Sequence, residues 1–213
     1  MIQRIELTKR FGKIRPFSID DYMGLDGYKM FKKALKMKQE DILEEITLSR
    51  ITGRGGANFP TSLKMKSFYK ETGLKYIVCN ADEGEPGNFK DRYMMENDPH
   101  QIIEGMLISA YATKASKGFI YIRGEYNKSI DIMRKTIDEA RQNGYLGNNI
   151  LGSDFSFDLE IRRGAGAYVC GEEFALIESI EGKPGRTRVK PPYPSEKGVY
   201  DQPTLINNVE TFC

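Results

Sequence analysis

Short apolar runs alternate with helical segments between residues 75 and 182, and this alternation narrows the folds that the chain can adopt. The apolar runs cover residues 76–79, 119–122 and 157–161. Apolar residues at helical spacing follow the runs, over residues 98–107, 130–140 and 170–180. Such an alternation of strands and helices is typical of α/β proteins. We therefore predict a Rossmann-like, mainly parallel sheet with helices on both faces.

Residue types that begin and end helices support these boundaries. Asp98 and Pro99 are an N-cap and first-turn pair ahead of the first predicted helix. Gly144 and Gly182 follow the second and third helices, and glycine commonly ends a helix.

The segment before the alternation also carries helix signals. Ser18 with Asp21 three residues later resembles a capping box, and apolar residues at helical spacing continue to Ile46. We therefore predict a helical N-terminal extension over residues 1–52, followed by an α/β domain over residues 53–213.

Composition excludes several classes of protein. The 213 residues suffice for one fairly large core, and 32 basic against 30 acidic residues leave a net charge of only +2, too balanced for nucleic-acid binding by charge. No run approaches the roughly 18 apolar residues of a membrane helix, and the N-terminus lacks a signal-peptide core. The three cysteines are few, odd in number and far apart. We expect a cytoplasmic protein that reaches a membrane only through partner subunits.

A glycine-rich segment at residues 53–57 is the first candidate site. Glycines let backbone amides approach an anion, a helix starting near Pro60 would direct its positive end there, and Lys64 would add a charge. A tight turn between two helices is the competing interpretation. The segment is neither a Walker A loop, since no Gly-Lys-Ser or Gly-Lys-Thr closes it, nor a Rossmann fingerprint, since no predicted strand precedes it.

Two further loops follow predicted strands. The acidic loop at residues 80–87 comes directly after the first strand, where open α/β sheets bind nucleotides, and its amide and carboxylate groups suit a flavin ring or ribose hydroxyls. An acidic surface turn or a hard-cation site are the alternatives. The glycine loop at residues 164–173 follows the third strand. Its paired glutamates, Glu172 and Glu173, suit a helix N-terminus even without a function.

Few residues are suited to acid–base or nucleophilic catalysis. The single histidine, His100, lies in the first turn of a predicted helix, which indicates a structural role and makes a metal centre or a Ser-His-Asp site improbable. The pair Asn207 and Asn208, with Thr211, is by itself typical of an ordinary turn. Hydride transfer between two bound cofactors requires no such catalytic side chain.

Five segments together resemble one family, the NADH- and FMN-binding subunit of respiratory complex I and its relatives in NAD-linked hydrogenases and formate dehydrogenases. The matching segments, in the family's order, are residues 54–61, 79–92, 164–173, 190–194 and 203–211. A membrane electron-transfer relative has a similar glycine loop, but residues 82–92 favour the NADH dehydrogenase family.

The resemblance implies a flavin site and a nicotinamide site. Residues implied to surround FMN are Gly53, Gly55, Lys64, Asn80, Asp82, Tyr168, Gly171, Glu172, Asn207, Asn208 and Thr211. Residues implied to contact NADH are Gly56, Ala57, Phe59, Glu85, Glu173, Lys190 and Tyr193. No metal ligand is implied within this chain.

Some positions differ from the family's usual residues. Asn58 and Ser62 replace glycines, Met65 replaces tryptophan, Phe174 replaces threonine and Tyr193 replaces phenylalanine. Asn58 tolerates left-handed backbone angles, so we expect it to preserve the turn. Tyr193 keeps a ring that can stack on adenine, whereas Phe68 is not included in the predicted site.

The resemblance also implies an activity and partners. FMN would accept a hydride from NADH and pass single electrons to iron–sulfur centres, one of them on a thioredoxin-like 2Fe–2S subunit. The family's ubiquitin-like domain and 4Fe–4S domain are expected to be absent from this chain. The alternative is a truncated, non-catalytic remnant that binds FMN or a partner.

Overall fold

A computed structural model describes residues 5–213 as helices on both sides of a small parallel sheet. The strands are β1 (Tyr76–Ala81), β2 (Lys117–Ile122), β3 (Asp158–Arg163) and β4 (Thr204–Asn208). The helices are α1 (Ile19–Gly24), α2 (Lys29–Ala34), α3 (Gln39–Ser49), α4 (Thr61–Lys70), α5 (Lys90–Asn97), α6 (Pro99–Thr113), α7 (Asn127–Gln142), α8 (Glu173–Ile180) and α9 (Val209–Phe212). Short 3₁₀ turns lie at Ile150–Gly152, Tyr168–Gly171 and Val199–Asp201.

All four strands are parallel, in the order β3-β2-β1-β4. The predicted α/β fold is therefore confirmed, and the three predicted strands are β1, β2 and β3. The fourth strand, β4, was not predicted. It pairs with β1 from Tyr76 opposite Thr204 to Asn80 opposite Asn208.

Both faces of the sheet are buried, and a separate hydrophobic core lies against each face. Ile77 and Cys79 of β1 point into a large core with α4, α6 and α7, whereas Tyr76 and Val78 point into a smaller core with α8. Helices therefore cover both faces, as predicted. No helix within residues 5–213 is long and apolar enough to cross a membrane.

The predicted helix ends are mostly confirmed. The Ser18 hydroxyl accepts from the Asp21 amide at 3.3 Å and caps α1, while Gly144 and Gly182 adopt φ angles of +72° and +78° beyond α7 and α8. Asp98 precedes α6, but its carboxylate does not cap that helix. Instead, the carboxylate of Asp98 accepts a buried hydrogen bond from the Arg10 Nε at 2.7 Å. This contact connects the N-terminal segment to the start of α6.

The N-terminal helices pack on the large core through one buried carboxylate. Glu104 of α6 accepts from the Tyr22 hydroxyl at 2.6 Å, the Tyr28 amide at 2.8 Å and the Phe31 amide at 3.0 Å. The region assigned to an extension thus shares its core with the sheet. The boundary between residues 1–52 and 53–213 stays a prediction, and residues 1–4 lie outside the described part.

His100 is fully buried and is held by hydrogen bonds from the same region. Its Nε2 donates to the Phe17 carbonyl at 3.1 Å, because a carbonyl can only accept, so Nδ1 accepts from the Tyr28 hydroxyl at 2.8 Å. Burial lowers the pKa of His100 to about 4, which keeps the ring neutral. These contacts agree with the predicted structural role.

The substitution Glu104→Gln should destabilise the protein by about 2 to 4 kcal/mol. Both carboxylate oxygens of Glu104 accept hydrogen bonds from buried groups, and glutamine would replace one of these oxygens with an NH₂ group that can only donate. Urea unfolding followed by circular dichroism measures this. The matched control is Glu45→Gln, whose exposed pair with Lys33 spans 3.6 Å and should contribute less than about 0.5 kcal/mol. Equal losses in the two variants would contradict the role assigned to Glu104.

Candidate functional site

The first glycine loop is closed by two backbone hydrogen bonds and leads directly into a helix. The Gly53 amide donates to the Phe59 carbonyl at 2.8 Å, and the Thr61 amide donates to the Ile51 carbonyl at 3.0 Å. Helix α4 begins at Thr61, next to the predicted start near Pro60. Within the loop, Gly56 has a φ of +107° and Asn58 a φ of +51°. The expected tolerance of Asn58 for left-handed backbone is confirmed.

Lys64 extends from the first turn of α4 to the middle of β4. Its Nζ donates to the Ile206 carbonyl at 2.7 Å. Burial lowers the pKa of Lys64, the carboxylate of Glu173 opposes this, and the charge of Lys190 adds to it. The amine therefore lies where the glycine loop, β4 and the second glycine loop meet.

The acidic loop leaves the carboxyl end of β1 and contacts the second glycine loop. The Asn80 side chain donates to the Gly171 carbonyl at 2.9 Å, and its oxygen accepts from the Asp82 amide at 3.1 Å. The Oδ2 atom of Asp82 is buried and has no hydrogen-bond partner within residues 5–213. Burial raises the pKa of Asp82 to about 6. This oxygen is free to bond a ligand.

Two glutamates of the acidic loop have different roles. Glu83 is buried and accepts from the Asp91 amide at 3.0 Å and the Arg92 amide at 3.2 Å, so it caps α5. Glu85 accepts from the Tyr168 hydroxyl at 2.8 Å. The alternative of a hard-cation site gains no support, because no cluster of metal-binding side chains occurs in the described residues.

In the second glycine loop, the paired glutamates begin α8 and bind a lysine. Glu172 caps the helix by accepting from the Phe174 and Ala175 amides at 2.9 and 3.0 Å. Lys190 pairs with Glu172 at 3.3 Å and forms a shorter contact with Glu173. Burial lowers the pKa of Lys190, but the hydrogen bonds to both glutamates raise it overall. The structural role considered for the glutamates is therefore real.

Asn207 and Asn208 end β4, so the interpretation as an ordinary turn is wrong. The parallel pairing of β4 with β1 sets Asn208 opposite Asn80. Three residues further on, the Thr211 hydroxyl accepts from the Arg54 amide at 2.9 Å, which attaches the first glycine loop to α9.

Three adjoining cavities, of about 300, 760 and 410 Å³, form one cleft at this edge of the sheet. The central cavity of 300 Å³ is lined by Gly53, Gly55, Ala57, Phe59, Lys64, Asn80, Gly171, Glu172, Glu173, Lys190, Asn207, Asn208 and Thr211. The inner cavity of 760 Å³ adds Gly56, Asp82, Glu85 and Tyr168. The outer cavity of 410 Å³ adds Tyr193. Every predicted site residue thus lines the cleft, and their roles toward ligands stay predictions.

The cleft also contains residues that were not predicted as part of it. Lys90 and Asp91 line the inner cavity, Ser67 lines the outer one and Thr61 lines the central one. The Thr61 hydroxyl is buried and lacks a partner within the described residues. Its position next to the predicted helix start near Pro60 was the sequence feature that could have placed Thr61 in the site. Phe68, which was not included in the predicted site, lies fully buried in the large core.

Comparison with known proteins identifies the family to which the chain is similar. The profile of the Nuo51 FMN-binding domain matches residues 46–213. An NADH-quinone oxidoreductase subunit of Aquifex aeolicus is 53% identical over 97% of this chain and 49% of that protein. The NADP-reducing hydrogenase subunit HndC of Solidesulfovibrio fructosivorans is 49% identical over 97% of this chain and 42% of its own length.

A solved structure shows the same fold. The NAD+-reducing NiFe hydrogenase in its air-oxidized state contains a chain that superposes with a TM-score of 0.73 at 42% identity, over 82% of this chain and 29% of that chain. This chain spans about half the length of the curated relatives it matches. With the profile match covering most of its residues, the chain belongs to the Nuo51 FMN-binding domain family.

Proposed function

We propose that the cleft binds FMN in its central and inner cavities and NADH toward its outer cavity. Bound FMN would take a hydride from NADH and release the electrons one at a time to iron–sulfur centres. The observation that carries the proposal is the buried, unpartnered Asp82 Oδ2 in the same cleft as the partly buried amine of Lys64. Buried polar groups without protein partners are costly unless a ligand satisfies them.

The groups on the flavin side fit both the phosphate and the ring of FMN. Lys64 uses one of its three donors on Ile206 and keeps two for the phosphate, and Asp82 offers a carboxylate oxygen to the amide-like edge of the ring. Gly55, which has no side chain, lines both the central and the inner cavity and lets the loop backbone approach the flavin closely. These residues would bind and orient the flavin without taking part in the chemistry.

The groups on the outer side fit a dinucleotide. Phe59 and Tyr193 both line the outer cavity with about half of each side chain exposed, at 51% and 53%. Exposed rings at a cleft are suited to stacking on adenine. Lys190 would meet the negative charge of the dinucleotide, and Glu173, with Glu85 of the inner cavity, would accept from its hydroxyls or carboxamide. These two carboxylates would also favour release of the cofactor after hydride transfer.

Onward electron transfer would depend on other segments or subunits. We propose a thioredoxin-like 2Fe–2S subunit as partner and a location peripheral to a membrane complex or in the cytoplasm. The second candidate is a non-catalytic module that binds FMN or a partner without oxidising NADH. The two candidates differ in whether NADH reduces the flavin.

Reconstituted with FMN under anaerobic conditions, the chain should lose its visible flavin absorbance on addition of one equivalent of NADH. The physical reason is that the outer and central cavities adjoin, sharing Phe59, Lys64 and Glu173, so the two cofactors can meet. Stopped-flow absorbance measures the bleaching. Retention of FMN without bleaching would refute the enzyme and leave the binding module.

The substitution Lys64→Met should weaken FMN binding about tenfold or more, because a charge-assisted hydrogen bond is lost at nearly constant side-chain volume. Fluorescence quenching of FMN gives the dissociation constant. The control is Lys66→Met on the same helix, whose amine pairs with Glu44 at 3.2 Å outside the cleft. Unchanged FMN affinity in Lys64→Met would place the flavin elsewhere.

NADH should be preferred over NADPH by about tenfold or more in kcat/KM. Glu172 and Glu173 already offset the charge of Lys190, and the Arg188 Nε donates to Glu178 at 2.7 Å, so no unneutralised cation remains to compensate the additional charge of a 2′-phosphate. Steady-state rates with ferricyanide as acceptor test this.

A second variant tests whether Arg188 contacts the 2′-phosphate of NADPH. Arg188→Met should leave the NADH to NADPH ratio unchanged, because its guanidinium already binds Glu178. A selective loss of NADPH turnover in that variant would show that the arginine contacts the phosphate.

A further inference from the structure

Two neighbouring asparagines at the end of β4 differ in how much hydrogen-bonding capacity they retain. The Asn208 amide nitrogen donates to Asp91 Oδ2 at 2.6 Å and to the Asn80 carbonyl at 3.4 Å. Its oxygen accepts from Lys90 Nζ at 2.7 Å and from the Glu210 amide at 3.1 Å. A primary amide has two donors and two acceptor sites, so Asn208 is saturated by the protein itself.

The side chain of Asn207, in contrast, keeps its full hydrogen-bonding capacity. It lines the central cavity and is only 7% exposed, yet its amide has no hydrogen-bond partner among the described residues. A nearly buried amide without a partner is available to a ligand. Of the two side chains, only that of Asn207 retains capacity for a cofactor.

Lys90 and Asp91 determine which way the Asn208 amide faces. Lys90 can only donate, so it selects the oxygen of Asn208, while the carboxylate of Asp91, which is 2% exposed, selects the nitrogen. Lys90 also donates to Asp91 Oδ1 at 2.7 Å and pairs with Glu210 at 3.2 Å. The amide therefore cannot flip without breaking both contacts.

The position of Asn208 shapes the walls of the cleft. It lines both the central and the inner cavity, and a Cβ on Gly55 would lie 3.4 Å from the Asn208 Cβ, so the first glycine loop rests against it. A shift of Asn208 would move the backbone of that loop.

We propose that Lys90 and Asp91 are positioning residues that act on the flavin site through Asn208, whereas Asn207 keeps the role toward FMN that the resemblance already implies. The inference rests on the proposed function for the ligand. The hydrogen-bond network itself belongs to the unliganded chain, and both parts can be tested separately.

The first experiment measures FMN dissociation constants by fluorescence quenching and the visible circular dichroism of the bound flavin. Lys90→Met and Asn208→Ala should each weaken FMN about tenfold and alter the dichroism, and their combination should be within about twofold of either single variant. Asn207→Ala should also weaken FMN about tenfold, but combined with Asn208→Ala the losses should multiply. Lys90→Arg should recover most of the affinity.

Controls separate positioning from charge and from misfolding. Lys128→Met removes an amine that pairs with Glu96 at 2.8 Å outside the cleft and should change neither affinity nor spectrum. The Lys90→Met variant could unfold because Asp91 would keep an unpaired buried charge. In that case the double variant Lys90→Met, Asp91→Asn, which removes this charge, replaces it in the experiment. Multiplying losses for Lys90→Met and Asn208→Ala would mean that Lys90 acts directly on the ligand, which would overturn the proposal.

The second experiment uses urea unfolding of the chain without FMN. The midpoint shift of the Lys90→Met, Asn208→Ala double variant should be smaller than the sum of the single shifts, because each substitution breaks the same contact. Asn207→Ala should leave the midpoint unchanged. A wild-type chain that retains no FMN would refute the proposed function alone, whereas additive shifts for Lys90 and Asn208 would refute the network.

Discussion

The pairing of β4 with β1 is the constraint on which the cleft depends. In a parallel pair both strands run the same way, so their carboxyl ends meet at one edge of the sheet. The register that sets Asn80 opposite Asn208 brings together residues that lie 128 positions apart in the chain. The acidic loop then leaves from β1, α9 begins after β4, and the first glycine loop attaches to α9 through Thr211. Without this pairing, Asn207, Asn208 and Thr211 would not lie beside the acidic loop.

The sequence predicts the elements whose signals are local. The strands β1, β2 and β3 are apolar runs between helices, and α6, α7 and α8 carry regular apolar spacing with glycine or proline at their ends. β4 has only Leu205 and Ile206 as clearly apolar residues, follows a proline-rich segment, and is defined by a distant partner. Similarly, the capping rule placed Asp98 correctly, but Arg10, 88 residues away, occupies its carboxylate. Long-range contacts of this kind leave no periodic signal in the sequence.

The candidate site follows the same division. Residue types and spacing place a glycine loop, an acidic loop and a helix start at one edge of a sheet. They do not tell which polar groups are already satisfied. Glu83 caps α5 and Glu172 caps α8, whereas Asp82 keeps an unpartnered oxygen, although all three are acidic residues in predicted binding loops. Whether a polar residue is available to a ligand depends on its partners, and these are known only once distant segments are in place.

The distribution of charge within the cleft supports the assignment of the flavin side. Of the cations that line it, Lys90 and Lys190 are paired with carboxylates, and no ion pair within residues 5–213 involves Arg54 or Lys64. Arg54 lies within the first glycine loop, and Lys64 lies on the helix that follows it. An anionic group entering the cleft would be drawn to the cations that no carboxylate neutralises. Under the proposed function, the phosphate of FMN therefore belongs at the glycine loop, and NADH would have to compete with Glu172 and Glu173 for Lys190.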